Sequence, residues 1–312
     1  MEQIKGLIRP PFANYDVVVY FGGGLFALNF IYRYILEPLD LNFPTFRVPM
    51  GQPYLSDGVA ILTTLFVIYA FGHIIAYFGS QFIEKFVDRV FGKVSTAIFV
   101  SSRASSRKRN EYMRALIYNR VKKIRKDGAL PATVARAIAH IPAIPIHTGI
   151  FAFGIFGYYD TRIPYPVLHL ASQKIKEEKC LEERIGVYTK WYKPLEYFVI
   201  NRCPVAVSRM YNYLVIAGLF RTLTTVFLFS LWMQFYYGLH YISDGDWYLE
   251  PFMGYDGPFP GLIEYAITAC AFGFSLFSYL KFQRRYAEEA IFAFVFGESG
   301  DKVATLNHKL EF

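Results

Sequence analysis

An uncharged apolar run followed by a strongly basic segment most constrains what this chain can fold into. Residues 58–78 carry no formal charge over 21 residues. As a helix that rises about 1.5 Å per residue, this run is long enough to cross a hydrocarbon core of about 30 Å. Residues 103–126 then hold ten Lys or Arg against one acid, Glu111. Because basic flanks are retained on the cytoplasmic side, the sequence predicts a transmembrane helix whose C-terminal end faces the cytoplasm.

Three further runs have the length and composition of membrane spans. They lie at about 17–35, 214–237 and 262–280. The chain is 54% hydrophobic and 19% aromatic, which is high for a soluble protein and typical of a large lipid-facing surface. Arg33, near the end of the first run, is expected to reach the membrane interface. The sequence therefore predicts an all-α integral membrane protein with four transmembrane helices.

The distribution of charge predicts how these spans are oriented. Residues 91–209 contain 21 Lys or Arg and 8 Asp or Glu, a net charge of +13. The connecting segments 37–57 and 240–260 carry net charges of −2 and −4. We expect the positive segment inside the cell and the two acidic segments outside, which places both termini in the cytoplasm.

These boundaries divide the chain into four parts. A basic, mainly helical cytoplasmic domain is predicted between spans two and three, because apolar residues there recur at helical spacing. It separates an N-terminal from a C-terminal membrane hairpin, and a cytoplasmic tail follows. In chain order the four parts are residues 1–90, 91–210, 211–285 and 286–312.

The stretch 141–159 is ambiguous within this scheme. It is uncharged and apolar, but Pro142 and Pro145 interrupt its start. We interpret it as the buried core of the cytoplasmic domain or as a re-entrant segment, and a fifth span is the alternative.

Four polar residues inside or beside the predicted spans are candidates for function. His73 in the second span and Arg221 in the third are costly in hydrocarbon, and such residues often mark functional sites. The alternatives are a histidine bonded to a neighbouring helix and an arginine that reaches the lipid headgroups. Glu264, at the start of the fourth span, is a candidate for the mouth of a vestibule. Asn29 in the first span most often bonds to another helix. Arg221 and Glu264 lie toward opposite membrane surfaces, so we do not expect a direct pair.

The basic segment predicts a surface for anionic lipid headgroups. Residues 107–126 have the pattern of an amphipathic helix, and Gly128 is a natural stop. Just inside a membrane, anionic lipid is a simpler partner than nucleic acid, and a merely solvated face is the alternative. The basic residues are Arg103, Arg107, Lys108, Arg109, Arg114, Arg120, Lys122, Lys123, Arg125 and Lys126.

Small residues predict close contact between helices. Gly72, Ala76 and Ser80 fall four apart on one helix face, and residues 22–24 are three consecutive glycines. Such patches let helices approach each other within one chain or between copies.

No sequence motif indicates catalysis, a cofactor or a metal. The three cysteines lack metal-ligand spacing. Gly22, Gly24 and Ala27 match the dinucleotide pattern G-x-G-x-x-[GA] in form, but no βαβ unit follows them. We therefore predict no cofactor and no metal.

The sequence favours a function other than catalysis. The first hypothesis is an oligomeric, channel-like or membrane-perturbing effector regulated through its cytoplasmic domain. Its partners would be the lipid bilayer, anionic headgroups and further copies of the chain. The second hypothesis is a structural subunit of a larger membrane complex. The third is a membrane-embedded lipid-modifying enzyme, with His73 or His140 as the base and Arg221 or the basic face holding a phosphate.

Overall fold

The regular elements of the described chain are all helical. The computed structural model describes residues 15–39, 53–86, 141–155, 163–177, 192–244 and 261–297. The predicted basic face and His140 lie outside these ranges. Within the described ranges, four helices are long and apolar enough to cross a membrane, which confirms the prediction of a multi-pass membrane protein at that level. They are Asp16–Leu39, Gly58–Glu84, Pro204–Ser243 and Leu262–Phe296, here called the first to fourth spans.

The first two spans depart from regular α-helix where they carry polar side chains. Helix α1 (Gly22–Ile31) lies between two π-helical turns, Asp16–Phe21 and Tyr32–Leu36, and a 3₁₀ turn ends the span at Leu39. Helix α2 (Pro53–Gly79) continues into a third π-helical turn, Ser80–Glu84. Such turns within α-helices are rare and are frequent at functional sites.

The described residues between the second and third spans form three shorter helices. Helix α3 (Ile144–Ile155) has 12 residues and follows a 3₁₀ turn of three residues, Ile141–Ala143. Together these described elements are about 24 Å long, and residues 156–159 of the ambiguous stretch lie outside the described ranges. Helices α4 (Tyr165–Glu177) and α5 (Tyr192–Arg202) follow.

The third and fourth spans belong to helices longer than the apolar runs that predict them. Helix α6 (Pro204–Asp244) has 41 residues and helix α7 (Leu262–Phe296) has 35. At about 1.5 Å per residue, both exceed the thickness of the hydrocarbon core. Hydropathy locates only the membrane-crossing part of a helix. Charged residues with a high helix propensity extend the same helix beyond the membrane. Helix α7 accordingly continues past Leu280 to Phe296.

The described residues separate into two compact units. The first contains residues up to Lys85 together with Val215–Tyr279. The second contains Phe86–Leu214 together with residues from Leu280 onward. Helices α6 and α7 therefore contribute residues to both units.

The core of the first unit is built around the third span. Ala27, Ile75 and Val226, one from each of the first three spans, form a buried apolar cluster. In the third span 56% of the most apolar stretch is buried, against 17% in the second. The third span is therefore the most enclosed of the four, and the second span is the least enclosed.

Two glycines allow the backbones of the first two spans to touch. A β-carbon at Gly24 would collide with the backbone carbonyl of Ile68, and one at Gly72 with the carbonyl of Tyr20. Such close approach permits Cα–H···O contacts between helices. The close packing predicted from the small-residue patches is therefore confirmed at Gly24 and Gly72, within one chain.

The second unit is held together by an apolar core from α4, α5 and parts of α6 and α7. Lys174 donates a 2.9 Å hydrogen bond from its Nζ to the carbonyl of Phe294, in the last turn of α7. This ties α4 to a carbonyl that has no partner within its own helix. Burial raises the pKa of the Tyr192 hydroxyl well above its usual range. The fully buried members of the core include Ala171, Leu195, Val199, Ala290, Ile291 and Phe294.

Candidate functional site

A polar cluster lies where the first, third and fourth spans meet inside the first unit. Its centre is the carboxylate of Glu264, which is one of the residues that the sequence singles out. The other members come from the first span, from the last third of α6 and from the first two turns of α7. We call the set the Glu264 cluster, and it consists of Arg33, Tyr34, Glu37, Gln234, Glu264 and Thr268.

Hydrogen bonds in the Glu264 cluster converge on two atoms, Glu264 Oε1 and Gln234 Nε2. Tyr34 Oη donates to Glu264 Oε1 at 2.9 Å. Gln234 Nε2 donates toward three oxygens, at 2.5 Å from Tyr34 Oη, 3.0 Å from Thr268 Oγ1 and 3.3 Å from Glu264 Oε1. Tyr237 Oη donates to the backbone carbonyl of Tyr34 at 2.9 Å, which fixes the turn that carries this tyrosine. Three helices are thereby linked through polar side chains rather than apolar packing alone.

The Glu264 cluster holds more acidic than basic side chains. Arg33 bonds to both carboxylate oxygens of Glu37, at 2.8 and 2.9 Å, and lies 3.5 Å from Glu264 Oε2. One guanidinium therefore faces two carboxylates, a net charge of −1 when all three are ionised. The side chains of Arg33 and Glu264 are only 18% and 13% exposed. Arg33 is thus an ion-pair partner in this fold, which is more specific than the interfacial position that the sequence predicts.

Local structure explains how these side chains reach each other. The π-helical turn Tyr32–Leu36 carries Arg33 and Tyr34, which are adjacent in sequence yet both contact Glu264. Glu264 lies in the first turn of α7, where the positive end of the helix dipole favours a carboxylate. The site thus combines an irregular turn in one span with the start of another.

A second ion pair joins the second and third spans. Arg221 Nη1 lies 2.6 Å from Glu84 Oε2, and Glu84 is carried by the π-helical turn Ser80–Glu84. Arg221 Nε is buried and makes no hydrogen bond within the described residues. Arg221 therefore has a protein partner, and as expected that partner is not Glu264.

His73 and Asn29 belong neither to the Glu264 cluster nor to the ion pair between Arg221 and Glu84. The ring of His73 stacks on Tyr20 with a centroid separation of 3.6 Å, and the edge of Tyr69 lies 4.5 Å away. Both His73 and Asn29 are exposed on the surface of the chain. The described structure thus separates the four polar candidates, with one in each ion pair and two on outer faces.

Several members of the cluster are not singled out by the sequence. Gln234, Tyr34 and Thr268 carry no formal charge, and a search for charged residues in apolar runs passes over them. An amide within an apolar run is itself a signal, because its polar atoms need partners inside the membrane. Gln234 could have been found in that way.

Neither similarity to known proteins nor a group of metal ligands in the described ranges assigns a function to the chain. Within the described ranges, no group of three or more His, Cys, Asp or Glu side chains is placed to hold a metal ion. No protein-family model, curated protein or solved structure matches the chain. A functional proposal therefore depends on the geometry of the spans.

Substitutions of Arg221 and of its ion-pair partner Glu84 are expected to lower the free energy of unfolding by different amounts. Glu84→Gln leaves a guanidinium that is 15% exposed without a counter-ion, whereas Arg221→Met leaves a carboxylate that is 41% exposed and wetter. After allowing for solvent screening, we expect Glu84→Gln to cost about 2 kcal/mol of unfolding free energy and Arg221→Met about 1 kcal/mol. Denaturant unfolding in detergent micelles measures both.

A matched control for this pair is Glu289→Gln. Glu289 pairs at 3.3 Å with Arg209, whose side chain is 65% exposed, so its loss is expected to change stability by less than about 0.5 kcal/mol. Equal losses for Glu84→Gln and Arg221→Met would contradict the prediction.

Proposed function

We propose that this multi-pass membrane protein assembles from several copies of the chain and acts as a channel-like or membrane-perturbing effector. Its assembly or opening is regulated through the basic segment between the second and third spans, which lies in the cytoplasm with both termini. The observation that carries this proposal is that Asn29 and His73 lie on outer faces of the first two spans.

The exposed asparagine is the strongest support. Within the described residues its side-chain amide makes no hydrogen bond. Hydrocarbon offers no partner for an amide, and transmembrane helices satisfy such groups by contact with another helix. A second copy of the same chain supplies that contact without any further component.

The second span offers the surface for this contact. Only 17% of its most apolar stretch is buried within the chain, and His73 lies on it beside the Tyr20 ring. Ionisable groups in a membrane face a bundle interior or a wet cavity far more often than lipid. Copies packed through the first two spans would bring these polar groups to a shared interior.

Among the candidates for lipid chemistry, the two that the structure describes, Arg221 and His73, favour this function over catalysis. The guanidinium of Arg221, a candidate for holding a phosphate, is already paired at 2.6 Å with Glu84. The ring of His73, a candidate base, is stacked against Tyr20. A phosphate ligand would have to displace Glu84 first.

Ion and dye flux from liposomes tests the proposal. We expect flux with the wild-type protein, and a loss with Asn29→Leu and His73→Phe, which keep size but remove the polar atoms. Each lost interhelical hydrogen bond costs about 1 kcal/mol of association, so a fall of about fivefold or more is expected for each variant.

A matched control is Thr64→Val. Thr64 is also exposed on the second span, but its hydroxyl donates to the carbonyl of Ala60 in its own helix and needs no partner from another copy. Flux should therefore be unchanged in this variant. A wild-type protein that is monomeric and impermeant, with or without cytosolic extract, would overturn the proposal. Stable co-purification with other membrane proteins would then favour a structural subunit.

A further inference from the structure

We propose that the fourth span binds an anionic phospholipid along one exposed face, with the phosphate held by Lys281 and Arg285 at the C-terminal end of the membrane-crossing part. The site is independent of the proposed assembly, because both basic residues belong to one helix of one chain and to one compact unit. It lies on the protein surface, where a lipid needs no cavity.

An exposed stripe along helix α7 offers a surface for an acyl chain. Its members recur every three or four residues, which is the spacing that places side chains on one face of a helix. Phe274 is 64% exposed and Phe277 is 36% exposed, and Cys270 and Lys281 are exposed on the same face. The described chain leaves these side chains uncovered, so acyl chains pack against the apolar ones.

The stripe ends at the depth where a phospholipid carries its phosphate. Cys270 lies near the middle of the predicted span 262–280, and Lys281 follows it by 11 positions, which is about 16 Å along a helix. One leaflet contributes about half of a hydrocarbon core of about 30 Å. An acyl chain that lies on the stripe from Cys270 to Phe277 therefore places its headgroup beside Lys281.

Basic side chains outnumber acidic ones at this depth. Three cations and one carboxylate share this face of α7, namely Lys281, Arg284, Arg285 and Glu288. The ammonium of Lys281 lies 5.8 Å from the ring centroid of Phe282, and within the described ranges it forms no ion pair. The positive charge that remains is complementary to an anionic headgroup, and basic residues beside a span attract such lipids.

The guanidinium of Arg285 is oriented by a buried carboxylate but keeps donors for a ligand. Arg285 Nη1 lies 3.7 Å from Glu288 Oε2, which is longer than a hydrogen bond. The same carboxylate lies 3.5 Å from Arg284 Nε, so two guanidiniums share it. Glu288 is 4% exposed, whereas the side chain of Arg285 is 38% exposed. A planar guanidinium held in this way can bind two phosphate oxygens at once.

Native mass spectrometry of the solubilised full-length protein tests the site, because it counts bound lipids without any membrane flux. Each basic residue contributes about fivefold to the affinity for an anionic headgroup, so phosphatidylglycerol should bind about twentyfold more tightly than phosphatidylcholine. Equal affinities for the two lipids would overturn the proposal, even if the protein assembles and conducts.

Variants locate the bound headgroup. Lys281→Gln and Arg285→Gln are each expected to lower the affinity for phosphatidylglycerol by about fivefold and to leave that for phosphatidylcholine unchanged. The matched control is Lys85→Gln, which removes the same charge at the end of the second span, where Lys85 donates to Gln81 of its own helix. Equal losses in Lys85→Gln and Arg285→Gln would show diffuse attraction and overturn the proposal. If Arg285→Gln does not fold, Lys281→Gln still decides, because Lys281 is exposed.

Soluble glycerol phosphate distinguishes a lipid from a free phosphate. It presents the same phosphate without acyl chains, so it cannot use the stripe that contains Phe274 and Phe277. We expect it to leave phosphatidylglycerol bound at equal concentration. Displacement of the lipid under those conditions would show that the basic residues alone determine binding, and it would overturn the assignment of a phospholipid.

Discussion

Alanine at Gly24 or at Gly72 is expected to destabilise the first unit by about 3 kcal/mol, at the upper end of the usual cost of overpacking. At both positions the new methyl group would meet a backbone carbonyl of the facing span, that of Ile68 or of Tyr20. A side chain in the way could change its rotamer, but a helical backbone cannot. The two spans must therefore separate, and their other contacts loosen with them.

The same substitution at open positions provides the control. Nothing lies within 4 Å of a β-carbon built at Gly58 or Gly273. Alanine is favoured over glycine within a helix by up to about 1 kcal/mol, so both control variants should be as stable as the wild type or more stable. Denaturant unfolding in bicelles measures all four proteins. Equal stability of Gly24→Ala and Gly58→Ala would show that the first two spans do not touch where the structure places them.

The two close contacts should also be coupled. Gly24 and Gly72 lie on facing helices, and the amide nitrogen of Gly72 is itself 3.0 Å from a β-carbon built at Gly24. Once one alanine has pushed the helices apart, a second adds little, so the double variant should lose less than the two single losses together.

The sequence predicts the spans well because the signal for a span is local. A run of apolar residues must avoid water wherever it lies in the chain, and residues 58–78 meet that condition without any knowledge of their neighbours. The ends of the long helices are different, because they depend on packing. Ala287 and Ile291 lie beyond the predicted fourth span and remain helical within a buried core.

The partners in the Glu264 cluster could not be predicted in the same way. Tyr34 and Gln234 are 200 positions apart, and Tyr34 and Glu264 are 230 apart. Their meeting depends on how three helices are arranged around each other. The π-helical turn that turns both Arg33 and Tyr34 toward Glu264 has no recognisable sequence pattern. A sequence can nominate Glu264 by its charge, but only the fold assigns it Tyr34 and Gln234.

Arg33→Met should destabilise the first unit by about 3 to 5 kcal/mol, the usual cost of removing one partner from a buried ion pair. Methionine keeps the apolar stem of the side chain but removes the only cation among the six residues of the cluster. Glu37 and Glu264 then face each other as two carboxylates without the guanidinium that lies between them. All three side chains are less than one third exposed, so water screens this repulsion only in part.

The same reasoning predicts rescue by a second substitution. Glu264→Gln in the Arg33→Met background removes one carboxylate and keeps an amide that can still accept a hydrogen bond from Tyr34. The double variant should therefore be more stable than Arg33→Met alone, by about 2 kcal/mol. Unfolding is measured in choline chloride, so that no small cation replaces the guanidinium. A double variant no more stable than the single one would mean that Arg33 acts through packing and not through charge.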